Sequence, residues 1–274
     1  MRLMLVILIL LFACRAPERD GSITTSADTS AAPAPIDPDT EPATATQATE
    51  SQPAVDQEIY IDTVSDTNPL VVKGRARTFE NAVSLRVRDA RGTLLTERHV
   101  TSTGEMGHHN PYEAQLWLVR DPGGKVTVEA FEYSAKDGSV RSLTRRQLDS
   151  STALANVVLM FPAGDCERLQ PFTRRVPKSQ AMARLLGEAL VAGPTADEKA
   201  SGASSPFPAG TELRSVVLRH GQLTVDFNDR LQNVGGSCAV AAIRQSVTQT
   251  LRRLPTINSV VITSAGREDL ALQP

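Results

Sequence analysis

The sequence predicts two consecutive folded domains, an all-β sandwich over residues 57–150 and an α+β domain over residues 154–274. A length of 274 residues is enough for two ordinary domains. From residue 58 to about residue 146, apolar residues tend to recur at every second position, as in strands that bury one face. Beyond residue 155 the apolar period lengthens to that of amphipathic helices, which alternate with short apolar runs.

The first residues have the pattern of an export signal. Arg2 precedes an apolar run over residues 3–12, which is shorter than the ~20 residues that a membrane-spanning helix needs. Cys14 ends this segment and follows a small residue, which resembles the lipobox of bacterial lipoproteins, whose cysteine is acylated after cleavage. The resemblance implies a lipoprotein signal peptide over residues 1–13 and lipidation of Cys14. An ordinary signal peptide and an uncleaved anchor are the alternatives.

Residues 14–56 are predicted to form a disordered tether between the lipid and the folded part. Ser, Thr, Ala, Pro and acidic residues dominate this segment, which has too few branched aliphatic residues to build a core. Arg15 follows the cysteine, which resembles the signals for outer-membrane delivery in bacteria with two membranes. In a host with one membrane, the lipid would hold the protein on the outer face of the cytoplasmic membrane.

Two cysteines remain once Cys14 is assigned to the lipid. An exported protein enters oxidising surroundings, so the even remainder of Cys166 and Cys238 predicts one disulfide. Two buried free thiols are the alternative.

The first domain is predicted to contain about seven short strands, because turn-forming residues recur every eight to twelve positions. Val83, Leu85 and Val87 illustrate the pattern, since they place three aliphatic side chains on one face of a strand. Trp117 is predicted to be a packing residue of this β-sandwich.

The second domain is predicted to have the order β-α-β-β-α-β, with a short additional helix after the first. Ser179 is placed to cap the first helix, and Thr195 with Glu198 has the spacing of a capping box for the short one. His220 and Gly221 form the expected turn of a hairpin. A long helix and a final strand complete an α+β sandwich with helices on one face of a sheet.

The second domain resembles the GerMN domain, which is named for a sporulation and germination protein. The resemblance rests on three parts of this sequence. They are the Gly-Pro-Thr run at residues 193–195, the pattern ending Val-Asp-Phe at residues 221–227 and the helix over residues 245–251. The resemblance covers about residues 155–268 and is fairly specific. Envelope proteins of this type often carry partner cysteines, which matches Cys166 and Cys238.

The first domain is similar to the immunoglobulin-like domain that accompanies GerMN domains, through residues 68–76, 79–80 and 87–92. The resemblance implies an immunoglobulin-like sandwich followed by a GerMN-like domain, in a non-enzymatic envelope lipoprotein of the kind associated with sporulation and germination. It supplies no catalytic residues. The expected partners are the membrane, through the lipid, and an envelope protein, peptidoglycan or a second copy. A formal net charge of −2 does not indicate nucleic-acid binding.

The sequence shows no arrangement of residues typical of catalysis, so no catalytic residue, metal site or cofactor is predicted. His108 and His109 lie beside each other on a loop, but no third ligand follows at a metal-site spacing. Asp226 is predicted to pair with Arg219 across the hairpin rather than to act as a general base. A sensor or accessory subunit, and a peptidoglycan hydrolase, are the alternative functions.

Basic residues of the second domain form the only candidate binding surface in the sequence. They are predicted to contact an anionic wall or lipid headgroups, and an ordinary solvated face is the alternative. The residues are Arg174, Arg175, Lys178, Arg252 and Arg253.

Overall fold

A computed structural model describes residues 57–232 and 234–273, the side chains of residues 165–167 excepted. The predicted signal peptide, Cys14 and the tether lie outside these residues. Within them, no helix is long and apolar enough to cross a membrane. The strands are β1 (Ile59–Val64), β2 (Leu70–Ala76), β3 (Ala82–Asp89), β4 (Leu94–Thr101), β5 (Asn110–Leu116), β6 (Lys125–Tyr133), β7 (Val140–Asp149), β8 (Leu154–Ala163), β9 (Asp165–Pro177), β10 (Leu213–Arg219), β11 (Gln222–Phe227) and β12 (Ser259–Ser264). The α-helices are α1 (Met182–Val191), α2 (Ala196–Ala200) and α3 (Ser237–Leu251).

The described residues all belong to one compact unit that contains two hydrophobic cores. The first core lies between two antiparallel sheets with strand orders β1-β2-β5 and β4-β3-β6-β7. Val72 and Ala114 enter it from the first sheet, and Leu85 and Val128 enter it from the second. The seven strands occupy the regions where the alternating pattern predicted them, because each buries one face in this core.

The second part of the chain has one strand more than the sequence predicted. Its order is β8-β9-α1-α2-β10-β11-α3-β12, so the predicted order β-α-β-β-α-β lacked β9. β8 and β9 form a long antiparallel hairpin, and β10-β11-β12 form a sheet in which β11 and β12 run parallel. α3 makes the crossover between β11 and β12 and packs against β8 and β9.

The start of α1 differs from the sequence prediction. The helix begins at Met182 after Ala181, and no side chain caps it. The prediction that Ser179 is the cap is therefore wrong. Its hydroxyl instead accepts a hydrogen bond from the Ala181 N–H at 3.1 Å, within the turn that precedes the helix. The apolar face is as predicted, since Leu185 and Leu190 are fully buried in the second core.

Two local predictions are confirmed in the second part of the chain. Thr195 and Glu198 form a capping box around the first turn of α2. His220 and Gly221 connect β10 and β11 with φ angles of 48° and 81°, as the tight hairpin turn requires. Gly221 also leaves room for Asn258, since a β-carbon at this position would lie 2.5 Å from the Asn258 amide nitrogen.

Candidate functional site

Arg174 joins the two parts of the described chain through a buried ion pair. Its guanidinium donates to both carboxylate oxygens of Glu198, one of them at 2.9 Å, and its side chain is 6% exposed. The same group donates to the Val119 carbonyl at 3.3 Å and to the Gly193 carbonyl at 3.1 Å. Val119 follows β5 of the first part, whereas Gly193 ends α1 of the second. One side chain therefore connects both.

The capping box of α2 belongs to the same network. Glu198 accepts a hydrogen bond from the Thr195 N–H at 2.8 Å on the carboxylate that also binds Arg174. Burial raises the pKa of Glu198, but the hydrogen bonds from Arg174 and Thr195 outweigh burial and hold the pKa below its ordinary value. The carboxylate is therefore charged at neutral pH, and the ion pair is intact.

Apolar contacts extend this junction. Trp117 and Val119 belong by sequence to the first part, yet they pack into the core of the second. The Arg184 guanidinium lies 5.8 Å from the centre of the Trp117 ring. Asn68 adds hydrogen bonds to the Leu118 carbonyl at 3.1 Å and the Pro177 carbonyl at 2.9 Å. Buried apolar and polar contacts together fix the two parts against each other.

A cleft of about 380 Å³ opens beside this junction. Its walls are β4 on one side, and α1 with residues 211–213 on the other. The end of β5 forms its floor. The lining residues are Leu95, Thr96, Glu97, Arg98, His99, Gln115, Trp117, Val119, Glu188, Val191, Ala192, Thr211, Glu212 and Leu213. The volume is within the range of small-ligand and peptide pockets.

The cleft is acidic above an apolar floor. Three glutamates line it (Glu97, Glu188 and Glu212), against one arginine, Arg98. Glu188 lies 3.9 Å from Arg98 and 3.2 Å from Arg184 on the preceding turn of α1. Burial raises the pKa of Glu188. Arg184 and Arg98 lower this pKa more weakly, and the charge of Glu212 raises it slightly further. A cation that enters the cleft would therefore offset the free-energy cost of burying this carboxylate in its charged form.

Trp117 lines the same cleft and has an unsatisfied hydrogen-bond donor. The side chain lines the cavity and is 4% exposed. Within the part of the chain that the structure describes, its indole Nε1–H has no hydrogen-bond acceptor. A buried donor without a partner costs stability, and this nitrogen is closed off from the solvent in the cleft. Sequence reasoning assigned Trp117 to packing and missed the three glutamates, whose positions carry no local pattern.

Two family comparisons match the two parts of the chain. Residues 51–139 match the family described as the immunoglobulin-like domain of bacterial spore germination. Residues 158–270 match the family described as sporulation and spore germination. The two matches, neither of which spans half of the chain, together support a GerMN protein of the spore-germination type. The cleft and the Arg174 ion pair thus lie between its immunoglobulin-like domain and its GerMN domain.

Two solved structures from Bacillus subtilis are similar to the GerMN domain. The first GerMN domain of the sporulation protein GerM is 25% identical, with a TM-score of 0.34, and the match covers 40% of this chain and 84% of that one. The tandem GerMN domains of the same protein are 22% identical, with a TM-score of 0.36 and coverage of 44% and 42%. The chain thus spans less than half of the tandem structure. None of the curated proteins compared with the chain matches it.

The predicted basic surface of the GerMN domain needs one correction. Arg174 is buried in the ion pair with Glu198, so it is not part of any exposed surface. Arg175 is exposed and lies 3.4 Å from Asp121. Lys178, Arg252 and Arg253 are also exposed.

The exposed basic residues do not form one cluster. Arg253 contacts Met160, whose partner across the β8–β9 ladder is Pro171, while Arg175 pairs with Asn156. Four residues along the strand separate these positions by about 14 Å. Their role in binding remains a prediction.

The Val-Asp-Phe end of β11 has a structural role. Asp226 accepts hydrogen bonds at 2.7 Å from the Thr263 hydroxyl and from the Gly266 N–H, which tie β11 to the end of β12. Its cationic neighbour is Arg214 at 3.7 Å, so the predicted pairing with Arg219 is wrong. Asp226 serves the fold of the GerMN domain.

The histidine loop of the immunoglobulin-like domain makes ordinary contacts. His109 hydrogen-bonds to the Gln57 carbonyl at 3.0 Å and packs edge-on against Tyr60. Among residues 57–232 and 234–273, no group of three or more His, Cys, Asp or Glu side chains is placed to hold a metal ion.

Proposed function

We propose that this protein is a lipid-anchored component of the bacterial envelope that binds another envelope component without converting it. Three observations support the proposal: the two spore-germination families, the export pattern that ends at Cys14, and the cleft at the domain junction. The proposed partner is an envelope protein, with peptidoglycan or a second copy as the other candidates.

The cleft is the observation that carries the binding role. Both domains line it, and the buried Arg174–Glu198 pair beside it holds the domains in one arrangement. A cavity shaped in advance lowers the entropy that a ligand loses on binding. The described lining of the cleft combines polar and charged side chains with apolar ones, so polar groups can orient a ligand that the apolar groups help to bury.

The disulfide between Cys166 and Cys238 is part of the proposal. The Cys166 side chain lies outside the described residues. Support comes from the oxidising compartment and from packing, since Cys166 belongs to β9, Cys238 to the first turn of α3, and these two elements are in contact. A shift on a non-reducing gel that Cys166→Ser abolishes is the expected result. Alkylation of both thiols in the folded protein would contradict it.

The lipid anchor is tested by cell fractionation. With Cys14→Ala, the protein should leave the membrane fraction or remain unprocessed, because the acyl chains can no longer be attached. Cys166→Ser is the matched cysteine control and should stay in the membrane fraction. Membrane retention of the processed Cys14→Ala protein would show that the anchor is something else.

Binding and turnover are separated by incubating the detergent-solubilised full-length protein with isolated peptidoglycan and with the solubilised envelope-protein fraction. The proposal predicts retention by one of these materials and no release of soluble wall fragments. Release of fragments in proportion to time and protein concentration would favour the hydrolase instead. A protein that is retained by neither material and that also remains monomeric would contradict the binding role.

A further inference from the structure

β4 is an unpaired sheet edge that faces the cleft. It pairs with β3 alone, at one end of the order β4-β3-β6-β7. The Ser102 N–H donates to the Asn81 carbonyl at 2.8 Å in the same register. This bond shows which residue pairs of the β3–β4 ladder are hydrogen-bonded and which are not. Hydrogen-bonded pairs alternate in an antiparallel ladder, so Glu97 and His99 direct their backbone groups away from β3. Within the described residues, these four groups have no hydrogen-bond partner.

The opposite wall has charges that complement a cation. Glu188 on α1 and Glu212 before β10 line it, across the cleft from Glu97 and His99. The apolar side chains of Leu95, Trp117 and Leu213 lie beneath. The cleft therefore presents a strand edge, carboxylates and an apolar floor to the same volume.

We propose that the cleft binds an extended peptide segment of another protein, which adds as a strand to β4 and places a Lys or Arg side chain against Glu188 and Glu212. The inference rests on the proposed binding function and names the class of ligand. Backbone pairing to an exposed sheet edge supplies affinity, and pockets beside the strand supply specificity.

A peptide accounts for all of these features together. The outward backbone groups of Glu97 and His99 lie two residues apart, about 7 Å, which is the spacing that a second strand repeats. A carbohydrate or a lipid headgroup would not match this repeat along β4. Arg184 also pairs with Glu188, so three carboxylates face two arginines, and the remaining negative charge favours a basic side chain over an acidic one.

The test begins with selection of random heptapeptides, displayed on phage, against the detergent-solubilised full-length protein. Selected sequences should share a Lys or Arg at a fixed position. A synthetic copy of the most enriched peptide should bind the double variant Glu188→Gln/Glu212→Gln at least about tenfold more weakly. Glu105→Gln, in an exposed loop outside the cleft, is the control for loss of a surface carboxylate and should bind normally. Thermal unfolding of each variant checks that it is folded.

Strand addition has its own readout in the same peptide. N-methylation of the peptide amides that face β4 should abolish binding. N-methylation of the alternate amides, which face away from β4, should leave binding largely unchanged. Equal effects of the two methylation patterns, enrichment without a basic residue, or no enrichment would overturn the inference. If isolated peptidoglycan displaces the peptide from the cleft, the ligand is a component of the wall and the inference is wrong. If peptides fail while envelope proteins still retain the protein, the inference fails and the proposed function stands.

Discussion

Arg174 contacts both domains and a buried carboxylate. Replacing it with methionine would leave Glu198 charged and buried without its partner, which costs about 3–5 kcal/mol. We expect the free energy of unfolding of Arg174→Met, measured in urea, to fall by that amount. Arg175→Met is the neighbouring control and should cost less than about 1 kcal/mol, because its pair with Asp121 is largely exposed.

The double variant Arg174→Met/Glu198→Leu distinguishes a lost ion pair from a lost packing contact. Removing both charges takes away the unpaired carboxylate, so the double variant should be more stable than Arg174→Met alone. A double variant that is less stable than the single one would show that the charge is not the cause.

Glu198 also predicts how stability depends on pH. Its folded-state pKa lies below the ordinary value of 4.5, so its stabilising contribution is complete above that value. The contribution is lost as the pH falls through the lower folded-state pKa. The unfolding free energy should therefore decrease as the pH drops below about 4.5, and less steeply in Glu198→Gln. An identical slope in wild type and variant would contradict the assignment.

At the residue scale, sequence reasoning worked where partners are close along the chain. The capping box of Thr195 and Glu198 spans three residues, and its geometry follows from the helix itself. The predicted partner of Asp226 was wrong because the turn at His220 and Gly221 places Ser215 opposite Asp226 and Gln222 opposite Arg219. Four residues along β10, about 13 Å, separate Ser215 from Arg219.

At the element scale, the β10–β11 hairpin provides a matched comparison of two glycines. Gly221 and Gly92 have the same φ of 81°, but only Gly221 has a neighbour where a β-carbon would lie, Asn258 at 2.5 Å. Gly92→Ala should cost about 1–2 kcal/mol through backbone strain. Gly221→Ala should cost more, because the Asn258 side chain must also shift. Equal unfolding free energies for the two variants would show that Asn258 moves aside without cost.

β9 was missed because its sequence argues against a strand. Pro171 lies in its interior, and proline lacks the N–H that a central strand needs. The strand forms because β8 and β9 make a two-stranded sheet, in which β9 pairs with β8 alone, and because α3 packs on both. By contrast, the seven strands of the immunoglobulin-like domain were predictable, because each alternates against one core.

At the scale of the whole molecule, the one tryptophan of the chain reports on the domain junction. Trp117 belongs to the immunoglobulin-like domain but packs in the GerMN core. If the junction is as well packed as the cores, unfolding in urea followed by tryptophan fluorescence and by far-ultraviolet circular dichroism should give the same midpoint.

The Arg174→Met variant tests this coupling. Loss of the ion pair beside Trp117 should move the fluorescence midpoint to a lower urea concentration than the circular-dichroism midpoint. A fluorescence midpoint that already precedes the other in wild type would show that the junction opens before the domains unfold.

The junction and its cleft could not be predicted from the sequence. Arg174 and Val119 are 55 residues apart, and the walls of the cleft come from segments that are distant along the chain. Periodicity and capping report on neighbours within a few turns, whereas domain docking depends on side chains at the ends of separate elements. The family resemblance identified the two domains without placing them.

Photo-crosslinking from within the cleft tests the central claim most directly. A photoreactive phenylalanine analogue replaces the exposed Gln115, which lines the cleft, in the full-length protein in living cells, with the exposed Glu105 as the control position. We predict a discrete crosslinked adduct from position 115 that is absent from position 105 and weakened by Glu188→Gln/Glu212→Gln. No adduct from position 115, or the same adducts from both positions, would contradict a binding role for the cleft.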